Sequence, residues 1–155
     1  MSNTQKIVIP STGQEYKIIR EAVTWSEAVA NSIVYGGNLA QFETDLEVQN
    51  FWDAFSSSEF YENLDQQIET SASDESGTKY LWLGANDANT EGTWKWIQDF
   101  GDGVDLNIDN SRWGDSNFDD NKDSLAIALE DWKDNLNEEI IGNAGQWNDL
   151  NSNTN

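Results

Sequence analysis

Twenty-nine acidic side chains against eight basic ones leave this 155-residue chain with a formal net charge of −21. Self-repulsion on that scale works against any compact state, so a fold must offset it with a strong core or with bound cations. The core material is present, because eight Trp, six Phe and four Tyr supply large apolar surfaces for a packed globule. The length suits one domain, residues 1–155. The same charge argues against nucleic acid and against anionic membrane surfaces, since both need a positive face.

Two residue types are missing altogether. Without cysteine there is no disulfide framework, no thiolate metal site and no cysteine nucleophile. Without histidine there is no Ser–His–Asp triad, no His-based zinc site and no ready general base near neutral pH. Lack of cysteine is still compatible with secretion, because a bound metal can replace a disulfide as the staple. No apolar run reaches membrane-spanning length and no signal-peptide pattern opens the chain. No membrane insertion is expected, and an export signal is expected to lie outside this stretch.

Hydrophobic spacing predicts helices first and strands later. Residues 6–9 and 16–19 read as short strands around a turn at 10–14. Thr24 with Glu27 forms a capping box for a helix whose apolar face is Trp25, Ala28, Val29 and Ile33, stopped by Gly36 and Gly37. Residues 38–42 read as extended. Thr44 with Glu47 opens a second helix that buries Val48, Phe51, Trp52 and Phe55. Residues 56–78 are polar and read as a long surface loop with one weak helical turn at 64–68. Beyond them come an apolar run at 80–84, alternation at 93–97, and Leu125, Ile127 and Leu129 on one face of a strand. Helices followed by strands with long Asn-, Asp- and Gly-rich loops indicate an α+β fold.

Residues 113–123 contain few apolar side chains and crowd acids, amides and one lysine together. Carboxylates this close repel unless a positive charge lies between them, and calcium selects hard oxygen ligands. On the residues alone a solvated acidic turn and a metal loop both stand.

Thr24-Trp25-Ser26-Glu27-Ala28, Gly36-Gly37-Asn38-Leu39-Ala40, Trp82-Leu83-Gly84-Ala85-Asn86-Asp87, Glu91-Gly92-Thr93-Trp94-Lys95-Trp96 and Trp147-Asn148-Asp149 occur in an order that resembles the C-type lectin-like domain. The resemblance spans about residues 14–149 and implies two helices packed on small antiparallel sheets with a long calcium-binding loop region. It implies an auxiliary calcium site at Asp87 and Glu91, positions that ordinary turn chemistry also explains. It implies that Asn148 and Asp149 ligate the principal calcium, with sugar hydroxyls completing the coordination.

Two registers place the loop's ligand tripeptide. One gives Asn117-Phe118-Asp119 followed by Asp120, with Asp123 as the remaining carboxylate. The other gives Asp115-Ser116-Asn117, and sets Lys122 where the family has an acid, which would oppose calcium. Neither contains the family's proline, so the sugar preference is not defined. The family's closing strand after Trp147-Asn148-Asp149 is either missing or replaced by residues 6–9 pairing with 16–19.

The function implied is calcium-dependent carbohydrate binding, with vicinal hydroxyls coordinated to Ca2+ between Asn117, Asp119, Asn148 and Asp149. A planar side chain near the ion, such as Phe118 or Trp132, could stack on the sugar's apolar face, with core packing or a loop anchor as the other reading. The alternative is a protein- or ice-binding module on the same fold, with calcium structural or absent. An enzyme is not expected: paired carboxylates can hydrolyse glycosides, but acids this hydrated or metal-bound are poorly placed to hold a raised pKa. A cysteine-free, acidic version of this fold resembles bacterial surface modules, so extracellular glycans, a cell-surface location and a larger multidomain adhesin are expected.

Overall fold

The computed structural model describes residues 4–63, 69–97, 104–106, 112–114, 121–133 and 139–155. Strands β1 (Thr4–Val8) and β2 (Glu15–Ile19) form an antiparallel hairpin, so the first segment pairs with the second. Helix α1 (Trp25–Val34) opens with the expected capping box, Thr24 and Glu27 bonding each other's backbone. Helix α2 (Asp45–Ser56) keeps half of that device. The Thr44 hydroxyl accepts from the Glu47 N–H, while the Glu47 carboxylate turns to the Glu43 N–H at 2.8 Å.

A short α3 (Glu59–Glu62) and β3 (Thr70–Ala72) follow, then a 3-10 turn at Ser73–Glu75. The remaining strands are β4 (Thr78–Asn86), β5 (Lys95–Trp96), β6 (Val104–Asp105), β7 (Ser124–Ala128), β8 (Trp132–Lys133), β9 (Ile140–Gly142) and β10 (Trp147–Leu150). The main sheet runs β10-β7-β4-β5-β6, with β3 also on β4, and β8 and β9 form a separate pair.

Strand β7 is buried along its whole length, and period-2 alternation divides it between two cores. Leu125 and Ile127 join Phe42, Val48, Phe51, Phe55, Trp96 and Trp147, the face covered by α2. Ala126 and Ala128 face Tyr80, Trp82, Trp132 and Leu150, with Trp25 and Ala28 of α1 against them. Two indoles tie α1 down: Trp25 Nε1 donates to the Leu83 carbonyl at 2.9 Å, and Trp82 Nε1 to the Val23 carbonyl at 2.8 Å. Gly84 lets the 38–42 link lie across β4, since a Cβ there would meet the Leu39 carbonyl at 2.8 Å.

Two expectations fail. Ile33 is 59% exposed, so the apolar face of α1 ends a turn early. The described parts of residues 56–78 are not a surface loop: α3 buries Phe60, β3 pairs with β4, and Glu69, Thr70 and Glu75 are buried. The buried Arg20 guanidinium pairs with Glu69 and explains how an acid sits inside. The helical turn expected at 64–68 lies outside the described residues.

Candidate functional site

Three segments meet at one end of the main sheet: the exit of β4, the entry of β7 and the exit of β10. The pairing of Asn86 with Ser124 sets Asp87 beside Asp123, and the Asp87 N–H donates to the Asp123 carbonyl at 3.1 Å. A tight turn follows, with the Thr90 N–H on the Asp87 carbonyl and Gly92 at φ 78°. It turns Glu91 back toward Asp87, and carboxylate oxygens of Asp87, Glu91 and Asp123 all lie within 4.8 Å of one another.

Asp87 is 2% exposed. Its Oδ2 accepts the Gly92 N–H at 2.8 Å, while its Oδ1 is buried without a hydrogen-bond partner among the described residues. Burial, with Asp123 adding to it, raises this carboxyl above its ordinary range. Three clustered hard oxygen donors, one with an orphaned oxygen, fit a calcium ion. Asp123, expected at the principal site, is thus grouped with the auxiliary pair Asp87 and Glu91.

Asn148 and Asp149 sit on β10 at 2% and 3% exposure. The Asn148 amide nitrogen donates to both Glu75 carboxylate oxygens, at 2.9 and 2.8 Å, and to the Tyr80 hydroxyl at 2.9 Å. Its oxygen accepts the Asp149 N–H at 3.0 Å. Lys122 Nζ lies 3.1 Å from Glu75 Oε1 and 3.1 Å from Asp74 Oδ2. Burial, reinforced by Glu75, drives the Tyr80 phenol far above its ordinary value, so it stays a neutral donor. Sequence reasoning missed Glu75 and Tyr80. The alternation that puts Tyr80 and Trp82 on one face of β4 was the available signal for the tyrosine, and nothing local marked the glutamate.

The acidic loop springs from a fixed base. The Gly114 N–H donates to the Trp147 carbonyl at 3.0 Å, and the Trp113 ring lies 5.0 Å from Trp94 and 6.1 Å from Trp147. Trp132 fills the space under Gly114 and Gly142 and is fully buried. It belongs to the core and does not stack on a sugar. Asn117, Phe118, Asp119 and Asp120 lie outside the described residues.

No family model matches the chain. Among solved structures, the mouse scavenger receptor C-type lectin carbohydrate-recognition domain superposes with a TM-score of 0.50 at 18% identity, over 84% of this chain and 73% of that one. The fold is C-type lectin-like. A calcium-independent type II antifreeze protein shares this lectin-like fold with a TM-score of 0.50 at 18% identity, over 86% of this chain and 74% of that one. In sequence, the lectin-like chain is 32% identical over 92 residues to Halomucin of Haloquadratum walsbyi. That match takes in 57% of this chain and spans about 1% of the length of the curated relative.

Proposed function

We propose that the chain is a calcium-dependent carbohydrate-binding module of a large, multidomain cell-surface protein of the adhesin kind. The observation that carries this reading is the Asp87–Glu91–Asp123 cluster with its orphaned Asp87 oxygen, at the sheet end where the chain enters β7 after the acidic stretch. Calcium held there by the three carboxylates would supply the positive charge their mutual repulsion calls for. Asp123 stands three residues after Asp120, and the Asp87 N–H is bonded to its carbonyl. A clamp on these groups therefore fixes the return of the loop that carries Asn117, Phe118, Asp119 and Asp120, the expected sugar contacts. Asn148 and Asp149 are buried on β10. The work is recognition, not catalysis.

The test is a glycan array read with calcium, with chelator, and with Asp123→Asn. Carbohydrate signals that vanish in the last two conditions are expected. Binding that survives chelation would sink calcium dependence. A second reading, favoured by the burial of Asn148 and Asp149, keeps calcium as a purely structural brace and makes the ligand a protein or ice surface. It predicts a blank array together with a melting temperature that still rises with calcium.

A further inference from the structure

The sheet end that holds Asn148 already contains a cation. Lys122 and Asp123 are neighbours at the entry of β7, and they serve different clusters. Asp123 faces Asp87 and Glu91, while the Lys122 ammonium sits 3.1 Å from both Asp74 and Glu75. Glu75 Oε1 is shared, taking Lys122 Nζ at 3.1 Å and Asn148 Nδ2 at 2.9 Å. Tyr80 closes the group by donating to Glu75 Oε2.

A calcium ligand must offer oxygen. Asn148 offers its amide hydrogens, because both Glu75 oxygens and the Tyr80 oxygen are on that side. Its own oxygen is turned to the Asp149 N–H. A divalent ion placed on Asn148 would have to rotate this buried amide away from Glu75. It would also have to stand close to an ammonium bonded to the same carboxylate. The residues described at this end do not fit the calcium that the lectin resemblance assigns to Asn148.

We infer that Lys122 is the resident cation of the Asn148 end, its ammonium balancing Asp74 and Glu75 where a second calcium would otherwise be needed. Among the described residues the calcium requirement then rests on Asp87, Glu91 and Asp123, a division that depends on the assignment proposed above for that cluster. Ion stoichiometry is set by the side chain at position 122.

Isothermal titration of the full chain with calcium chloride alone tests this. Asn148→Ala is expected to bind as many ions as the unchanged protein, whereas Asp123→Asn weakens binding at least about tenfold. Lys122→Glu, which removes the ammonium from Asp74 and Glu75 and adds a carboxylate beside them, is expected to take up one more ion per chain. A Lys122→Glu protein with unchanged stoichiometry overturns the inference, as does an Asn148→Ala protein that folds and has lost an ion. If the unchanged protein binds no calcium and Lys122→Glu gains one ion, the assignment to Asp87, Glu91 and Asp123 fails while the role of Lys122 stands.

Discussion

Replacing Asp87 by Asn should stabilise the protein without calcium and destabilise it with calcium. Asparagine keeps an oxygen for the Gly92 N–H, now at 2.8 Å, and removes one charge from three carboxylates gathered within 4.8 Å. At an effective dielectric of about 20, a like-charge pair at that separation repels by roughly 3.5 kcal/mol. Glu91 is exposed and Asp123 half-buried, so counterions and water screen much of this, leaving about 1–2 kcal/mol of relief in the apo protein. For a chain of this size that raises Tm by roughly 2–8 °C in EDTA. At calcium near one hundred times Kd, the unchanged protein gains about 2.7 kcal/mol from binding and the variant gains little. The order of the two melting temperatures should therefore invert between EDTA and calcium, read by calorimetry or circular dichroism.

The same carboxyl gives a pH signature. Its folded value lies above the ordinary 3.8, so the folded state holds the proton more tightly than the unfolded chain does. Its contribution to stability is therefore greatest at low pH and falls as pH climbs from 3.8 through the folded value. Asp87→Asn lacks that step, and its advantage in EDTA should shrink on acidification. If the variant is less stable than the unchanged protein in EDTA at neutral pH, Asp87 is only a turn brace and the charge argument is refuted.

Gly142→Ala would set a methyl 2.1 Å from the fully buried Trp132 ring. It should cost about 1–3 kcal/mol by denaturant unfolding, and a loss within error would show that Trp132 is not clamped there. Glu69→Gln leaves the buried Arg20 guanidinium without its counter-charge and should cost about 3–5 kcal/mol. Burial alone already lowers Arg20 to about 10, and replacing both partners by apolar residues should recover most of the loss. With a net charge of −21, Tm should rise as sodium chloride goes from about 0.1 to about 1 M, because screening shortens from about 10 to about 3 Å. A Tm that falls over that range would mean surface repulsion is not what limits stability.

Elements governed by local chemistry were legible in the sequence. Thr24 and Glu27 satisfy each other's backbone within one turn, and the Leu125–Ile127 alternation states a strand without reference to the rest of the chain. The Asp87–Glu91 turn is also local. What escaped was long-range. Glu75 lies in a stretch as polar as any surface loop, and it is buried because Asn148, 73 residues away, and Lys122, 47 residues away, bring hydrogens to it. Hydropathy marks a side chain by what it is, whereas an acid is buried by what comes to meet it. Ile33 shows the converse, an apolar residue at the right helical spacing that stays 59% exposed.

The excess of acids, 29 against 8 basic residues, has one physical demand, that carboxylates be separated or neutralised, and two clusters near the entry of β7 meet it differently. At Glu75 the neutralising charge is covalently attached, since Lys122 reaches it from the neighbouring strand entry together with two neutral donors, Asn148 and Tyr80. At Asp87 the hydrogen bonds to the carboxylate come from backbone N–H groups, Gly92 among them, and one oxygen is left over among the described residues. An ammonium tethered to the chain is present at every calcium concentration, and a dissolved ion is not. Lys122 and Asp123 stand in succession at the entry of β7, so the proposed calcium would set a conditional charge directly beside a permanent one. Under the calcium assignment proposed above, ion binding at Asp87 and Asp123 would then change with calcium while the Glu75 group on β10 keeps its own ammonium.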